Sequence, residues 1–138
     1  MTNYVLDTSA LLTLRNNEAG ADQVEKILRA GQKNQARLFV SFITYTEMFY
    51  MTWRHQGPDE AYKVILQLKT LPIQRVDPDE KLFLLAGELK ALYPISLADS
   101  FVAATAIQKQ ARLLHKDPEF KEVKERIELI NLPYKRKV

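Results

Sequence analysis

Apolar and polar positions follow two rhythms along the chain, and the changes between them predict its elements. Short stretches dominated by apolar residues, Tyr4-Val5-Leu6, Arg37-Leu38-Phe39-Val40 and residues 72–76, 111–115 and 127–130, read as strands buried on both faces. Between them the apolar spacing lengthens to three and four. This predicts helices over residues 10–14, Ala21–Gln32 and 44–55, the second burying Val24, Ile27 and Leu28. From Pro58 onward Ala61, Val64, Ile65, Leu68 and Leu71 keep helical spacing without a miss, and Leu82, Leu85, Ala86, Leu89 and Leu92 form a later stripe. An alanine-rich helix is expected from Ile95-Ser96 to near Gln110, and a short one over residues 119–125.

Punctuation residues agree with this order. Ser41 is a candidate cap, Gly57-Pro58 breaks the chain, Asp77-Pro78 reads as a cap followed by a first-turn proline, and Tyr93-Pro94 ends a helix. Strands separated by helices imply a small, mostly parallel central sheet flanked by helices, a three-layer α/β domain. A length of 138 residues suits one domain, with a basic tail from about residue 134 that carries Lys135-Arg136-Lys137.

Composition narrows the chemistry. With no cysteine, disulfides, thiolate zinc sites and a cysteine nucleophile are excluded. Six prolines and four glycines leave no room for a long linker. No run approaches the roughly 18 apolar residues of a membrane span, so a cytoplasmic protein is expected. A formal charge of +3 and a pI near 9.1 permit a polyanionic partner without demanding one.

Four acids stand out by position. Asp7 ends the first strand, Asp117 follows the fourth, Asp99 lies in the first turn of the alanine-rich helix, and Glu47 lies one turn into the helix after the second strand. In a parallel sheet all four belong to the edge where strands end and helices begin, the usual place for ligands. Each has a structural reading as well, since Asp caps helices, Asp-Pro makes turns and Glu is commonly solvated. Thr8 or Ser9 is expected to cap the first helix, which leaves Asp7 without a structural reason. Convergence of four carboxylates suits a hard divalent cation such as Mg2+ or Mn2+.

The same residues carry a resemblance. Tyr-Val-Leu-Asp-Thr-Ser-Ala-Leu-Leu at the start, Thr-Tyr-Thr-Glu-Met near Glu47, Ser-Leu-Ala-Asp-Ser-Phe-Val-Ala-Ala-Thr-Ala around Asp99 and Lys-Asp-Pro-Glu-Phe at Asp117 resemble, in order, the blocks of a PIN-domain ribonuclease. In size and order the chain is most similar to the VapC type of toxin from toxin–antitoxin pairs. That resemblance implies Mg2+- or Mn2+-dependent RNA cleavage, a cognate antitoxin, and Asp7, Glu47, Asp99 and Asp117 as the acidic quartet. It makes Asp7 and Asp99 direct metal ligands, and Thr8 or Ser9 the hydroxyl supporting the first acid or the bound phosphate. His115 departs from the Thr or Ser often found two residues before the last acid; it is either a strand-end residue with a satisfied ring or a contact that reaches the phosphate directly or supports the site through a neighbouring group.

On chemical grounds Asp117 is assigned to a second metal or a water, and Glu47 to orienting or deprotonating the attacking water. Arg15, Arg54, Lys116 and the tail are candidates for backbone phosphates. A receiver-like or flavodoxin-like module that binds phosphate or nucleotide shares the α/β layout, but no Gly-rich loop supports it. A third reading is an interaction protein with an inactive acidic pocket. Tyr45, Phe49, Tyr50, Met51, Trp53 and Tyr62 exceed what one side of a small sheet needs, so some should be exposed, as in a homodimer or an antitoxin contact.

Overall fold

In the computed structural model residues 1–134 are described, and the basic triplet of the tail lies outside them. Strands β1 (Thr2–Leu6), β2 (Ala36–Ser41), β3 (Gln74–Val76), β4 (Arg112–His115) and β5 (Leu129–Asn131) form one sheet in the order β3-β2-β1-β4-β5. All four pairings are parallel. The helices are α1 (Thr8–Arg15), α2 (Ala21–Gln32), α3 (Phe42–Gln56), α4 (Pro58–Thr70), α5 (Glu80–Leu92) and α6 (Leu97–Gln108). A 3₁₀ turn, Pro118–Val123, replaces the expected helix over residues 119–125.

Side-chain alternation along the strands divides the core. Val5, Phe39 and Leu113 face one layer with Leu82, Ala86 and Leu89 of α5, Val102, Ala103 and Ala106 of α6, and Phe120. Leu6, Leu38, Val40 and Leu114 face the other, packed on Leu11, Val24, Leu28, Met48, Val64 and Leu68 from α1 to α4. Alanines on α6 let it lie flat against β1, β2 and β4, all of which it contacts.

Several ends differ from expectation for local reasons. The third strand starts at Gln74, two residues after Pro72, whose missing N–H cannot join a ladder. Asp77 is not a helix cap; its carboxylate pairs with the Arg75 guanidinium at 2.8 Å, and Asp79 caps α5 by accepting from Leu82 N at 2.8 Å. The position before Pro78 is pushed toward extended backbone, so the helix begins after it. At Gly57 the chain turns with φ +88° between α3 and α4, a conformation that favours glycine, and Pro58 opens α4.

Sheet order creates the site. The chain runs outward from β1 through β2 to β3, then returns to add β4 and β5 on the other side of β1. Beyond the carboxyl ends of β1 and β4 the connections diverge, leaving a crevice.

Candidate active site

Asp7 follows β1 at this crevice, its backbone N–H donating to Leu114 O at 3.0 Å. Contrary to expectation it is itself the cap of α1: Oδ2 accepts from Ser9 N at 3.1 Å and from Ser9 Oγ at 2.5 Å. A cap with this geometry ordinarily favours the charged carboxylate. Burial wins here, because Asp7 is 3% exposed and its pKa is pushed up to about 6, with the Glu47 and Asp117 charges adding to the rise.

Thr8 and Ser9 have separate tasks. Thr8 Oγ1 donates to Glu47 Oε1 at 2.7 Å and lies 3.0 Å from the Thr44 hydroxyl, tying α1 to α3. Ser9 Oγ also accepts from Lys116 N at 2.8 Å, tying α1 to the end of β4. Thr8 is buried, and its hydroxyl is engaged with Glu47.

Asp99 lies in the first turn of α6, but Ser96 is the cap, accepting from Asp99 N at 3.1 Å. The Asp99 carboxyl is therefore not used up by its own helix. It is 7% exposed, and its pKa is pushed up to about 10 by burial first, then by hydrogen bonding of its acid form to Glu119 and by the charges of Asp7 and Asp117. Crowded, desolvated carboxylates of this kind hold a proton or a cation.

Glu119, which was not singled out in the sequence, completes the group. Asp117 caps the 3₁₀ turn by accepting from Glu119 N at 2.9 Å, and Glu119 Oε1 reaches across to accept from Ser96 N at 2.6 Å. One ligand oxygen each from Asp99, Asp117 and Glu119 lies within 4.8 Å of the others, the one such group of three among the described residues. All-oxygen donors, negative and partly desolvated, fit a hard divalent cation. Asp7 stands outside this triad but is coupled to it by charge.

The remaining predicted contacts are placed as follows. His115 is completely buried, its ring edge-on to Phe120 at 5.1 Å, so it is not a phosphate contact in this structure. Its Nδ1 accepts from Asp117 N at 3.1 Å, and burial lowers its pKa. Nε2 is buried with no partner in hydrogen-bonding geometry, and the nearby Asn131 side chain offsets the burial only in part. The Lys116 side chain is 8% exposed; its Nζ donates to Ala19 O at 2.7 Å and stands 3.6 Å from Glu18, bracing the α1–α2 connection. Its ammonium is thus engaged by Ala19 and Glu18 in this structure. Arg15 donates to Gln67 at 2.9 Å and Arg54 lies 5.0 Å over the Tyr50 ring, both at the surface.

Comparison with known proteins now bears on these groups. Residues 4–126 match the family model described as PIN domain. No curated protein matches the chain by sequence. Among solved structures, VapBC2 from Rickettsia felis bound to a promoter DNA fragment is similar at TM-score 0.75 and 20% identity, over 96% of this chain and 100% of that one. VapBC-1 from nontypeable Haemophilus influenzae gives TM-score 0.69 and 24% identity, over 94% and 98%. Mycobacterium tuberculosis VapC20, a Sarcin-Ricin loop cleaving toxin, gives 0.66 and 16%, over 87% and 94%. At these identities the structural likeness speaks for the fold. The family match includes all of Asp7, Glu47, Asp99, Asp117 and Glu119 and spans nearly the whole chain, and so the chain belongs to the PIN domain family.

Proposed function

We propose that this PIN domain is a divalent-metal-dependent ribonuclease, the toxin of a toxin–antitoxin pair. The observation that carries the reading is the convergence of Asp99, Asp117 and Glu119, with Asp7 coupled to them, at the crevice between β1 and β4. Similarity to VapBC complexes and to a toxin that cleaves an RNA loop supports the biological setting. A phosphate- or nucleotide-binding module has less support, because the sequence has no Gly-rich phosphate loop and a phosphoryl-accepting Asp would not explain Glu47 and Asp117 together.

In this reading Asp99, Asp117 and Glu119 would hold Mg2+ or Mn2+, with Asp7 as a further ligand. The bound cation supplies positive charge that offsets the phosphate and the leaving oxygen and makes water more acidic. Glu47, fixed by Thr8, orients the attacking water and takes its proton. Ser9 holds the Asp7 carboxylate in place. His115 does the same for the Asp117 backbone, through an acceptor rather than through charge. Arg15 and Arg54 are surface groups suited to flanking phosphates, where they act at long range.

The partners proposed are RNA with unpaired segments, an antitoxin and a second copy of the chain. Tyr50, Trp53, Tyr62 and Leu66 on α3 and α4 are exposed, with Phe49 packed between the Trp53 and Tyr62 rings at 5.6 and 5.1 Å. Such a patch suits a protein contact. Among the described residues no helix is long and apolar enough to cross a membrane. The decisive experiment is cleavage of unstructured RNA by protein freed of any inhibitor, with Mn2+, with EDTA, and with Asp7→Asn as the control for contaminating nuclease.

A further inference from the structure

A hollow of about 440 Å³ opens beside the acids, and the ribonuclease reading leaves it unassigned. Its walls include Ser9, Leu12, Asn16, Met51, Pro118 and Tyr134. Two of these join it to the chemistry: Ser9 holds Asp7 at 2.5 Å, and Pro118 directly follows Asp117. Tyr134 belongs to the same neighbourhood, since the Asp117 charge helps to raise its pKa. The hollow therefore adjoins residues that contact or flank Asp7 and Asp117.

Its chemistry differs from that of the crevice. Leu12, Met51 and the Pro118 ring are apolar, and the two charged groups of the lining, Glu18 and Lys116, pair with each other at 3.6 Å. Lys116, the cation in its wall, is committed to Ala19 and Glu18. The Tyr134 ring is fixed by a 3.3 Å hydrogen bond from its hydroxyl to Asn131, and Lys121 Nζ lies 5.3 Å over the ring. Asn16 ends α1, and its side-chain amide has no hydrogen-bond partner among the described residues, which leaves two donors and an acceptor at the rim.

An aromatic ring, apolar side chains and an amide at the rim, next to a site for a phosphodiester, suit a nucleobase. We infer that the hollow receives one unpaired nucleobase of the RNA strand beside the scissile phosphate, stacked along Tyr134 with its edge read by Asn16. The inference rests on the ribonuclease reading and deepens it. Its volume lies in the range of about 300–1,000 Å³ usual for small-ligand sites. Single-stranded RNA offers such a base because unpaired nucleotides can be splayed out and stacked on aromatic side chains, whereas a duplex keeps its bases covered. The consequence is that cleavage preference is set at a nucleotide flanking the cut.

The test uses the full chain and a short RNA pool randomised in sequence, with Mn2+ present and cut positions read by sequencing. Wild type should show a base preference at a position beside the cut. Tyr134→Leu and Asn16→Ala should flatten it and, for Tyr134→Leu, lower kcat/KM on the best sequence about tenfold, the size expected for loss of a stacked base. The Mn2+-induced rise in melting temperature should be unchanged in both, which shows that fold and metal site are intact. If wild type cuts but has no preference beside the cut, or if both variants keep it, the base site is overturned while the ribonuclease reading stands. If wild type binds Mn2+ and cuts no RNA, both readings fall. Should Tyr134→Leu not fold, Asn16→Ala at the exposed rim decides the matter alone.

Discussion

Nδ1 of the buried His115 accepts the backbone N–H of Asp117 at 3.1 Å. A neutral imidazole has only one acceptor nitrogen, so this bond sets the tautomer and places the proton on Nε2. The acid that follows β4 is thus aimed by a side chain from the strand itself.

That relationship predicts a specific failure. His115→Leu keeps apolar bulk beside Phe120 but leaves the Asp117 N–H without its acceptor, which should cost about 1–3 kcal/mol of stability. Divalent metal should also bind more weakly, seen as a smaller melting shift per added Mn2+. An unchanged Mn2+ response would show that His115 does no more than fill the core.

Metal-free protein should lose stability as the pH rises from 7 to 9. Asp99 has a folded pKa raised to about 10 from 3.8, so its contribution is full below the unfolded value and is lost steadily up to the folded one. Asp7 is shifted only to about 6 and His115 downward, so both have finished titrating by pH 7. Thermal melts in EDTA should therefore fall across this window for wild type and stay nearly flat for Asp99→Asn. The variant should melt higher at pH 8. Parallel curves would mean that Asp99 is not crowded.

Metal should reverse the balance. Cation at a hundred times its dissociation constant stabilises the folded chain by about 2.7 kcal/mol. Wild type should show that rise in Mn2+ or Mg2+, and Asp99→Asn and Glu119→Gln should lose most of it. Retention of the full rise by Glu119→Gln would remove Glu119 from the site and leave it as a tether between the 3₁₀ turn and α6.

Thr8→Val tests the proton-transfer assignment without touching an acid. It removes the 2.7 Å hydrogen bond to Glu47 at nearly constant shape. Cleavage should fall about tenfold in kcat with KM little changed, a fraction of the roughly 10²–10⁴ available to a general base. Equal kcat would show that Glu47 needs no orientation, or has no part in the step.

Association is checked by light scattering over the micromolar range. Wild type should scatter as a dimer, and Trp53→Glu, which puts a charge into an exposed apolar patch, should scatter as a monomer of unchanged fold. A monomeric wild type would leave the patch to the antitoxin.

Much of the architecture follows from local pattern. Apolar runs such as Val5-Leu6 and Leu113-Leu114 cannot be exposed, and the three-and-four spacing from Ala61 to Leu68 has one apolar face, so parallel strands between helices are the arrangement that buries both. Gly57-Pro58 and Ser41 mark boundaries through backbone chemistry that acts within a few residues. The rule that strands end where helices begin places Asp7, Glu47 and Asp117 at one sheet edge, whereas Asp99 opens a helix that follows α5 and not a strand, so its place beside them is set by packing. Which carboxylates meet is another matter. In sequence Glu119 is an ordinary first-turn acid, favourable at a helix start. It becomes a partner of Asp99 only because β4 returns beside β1 and brings the 3₁₀ turn against the start of α6, 23 residues away from Ser96 in sequence. Whether Asp7, Asp79 or Asp77 caps a helix, and whether His115 or Lys116 faces solvent, likewise depends on packing. Burial and hydrogen-bond geometry are properties of the assembled layers, and local residue preference does not contain them.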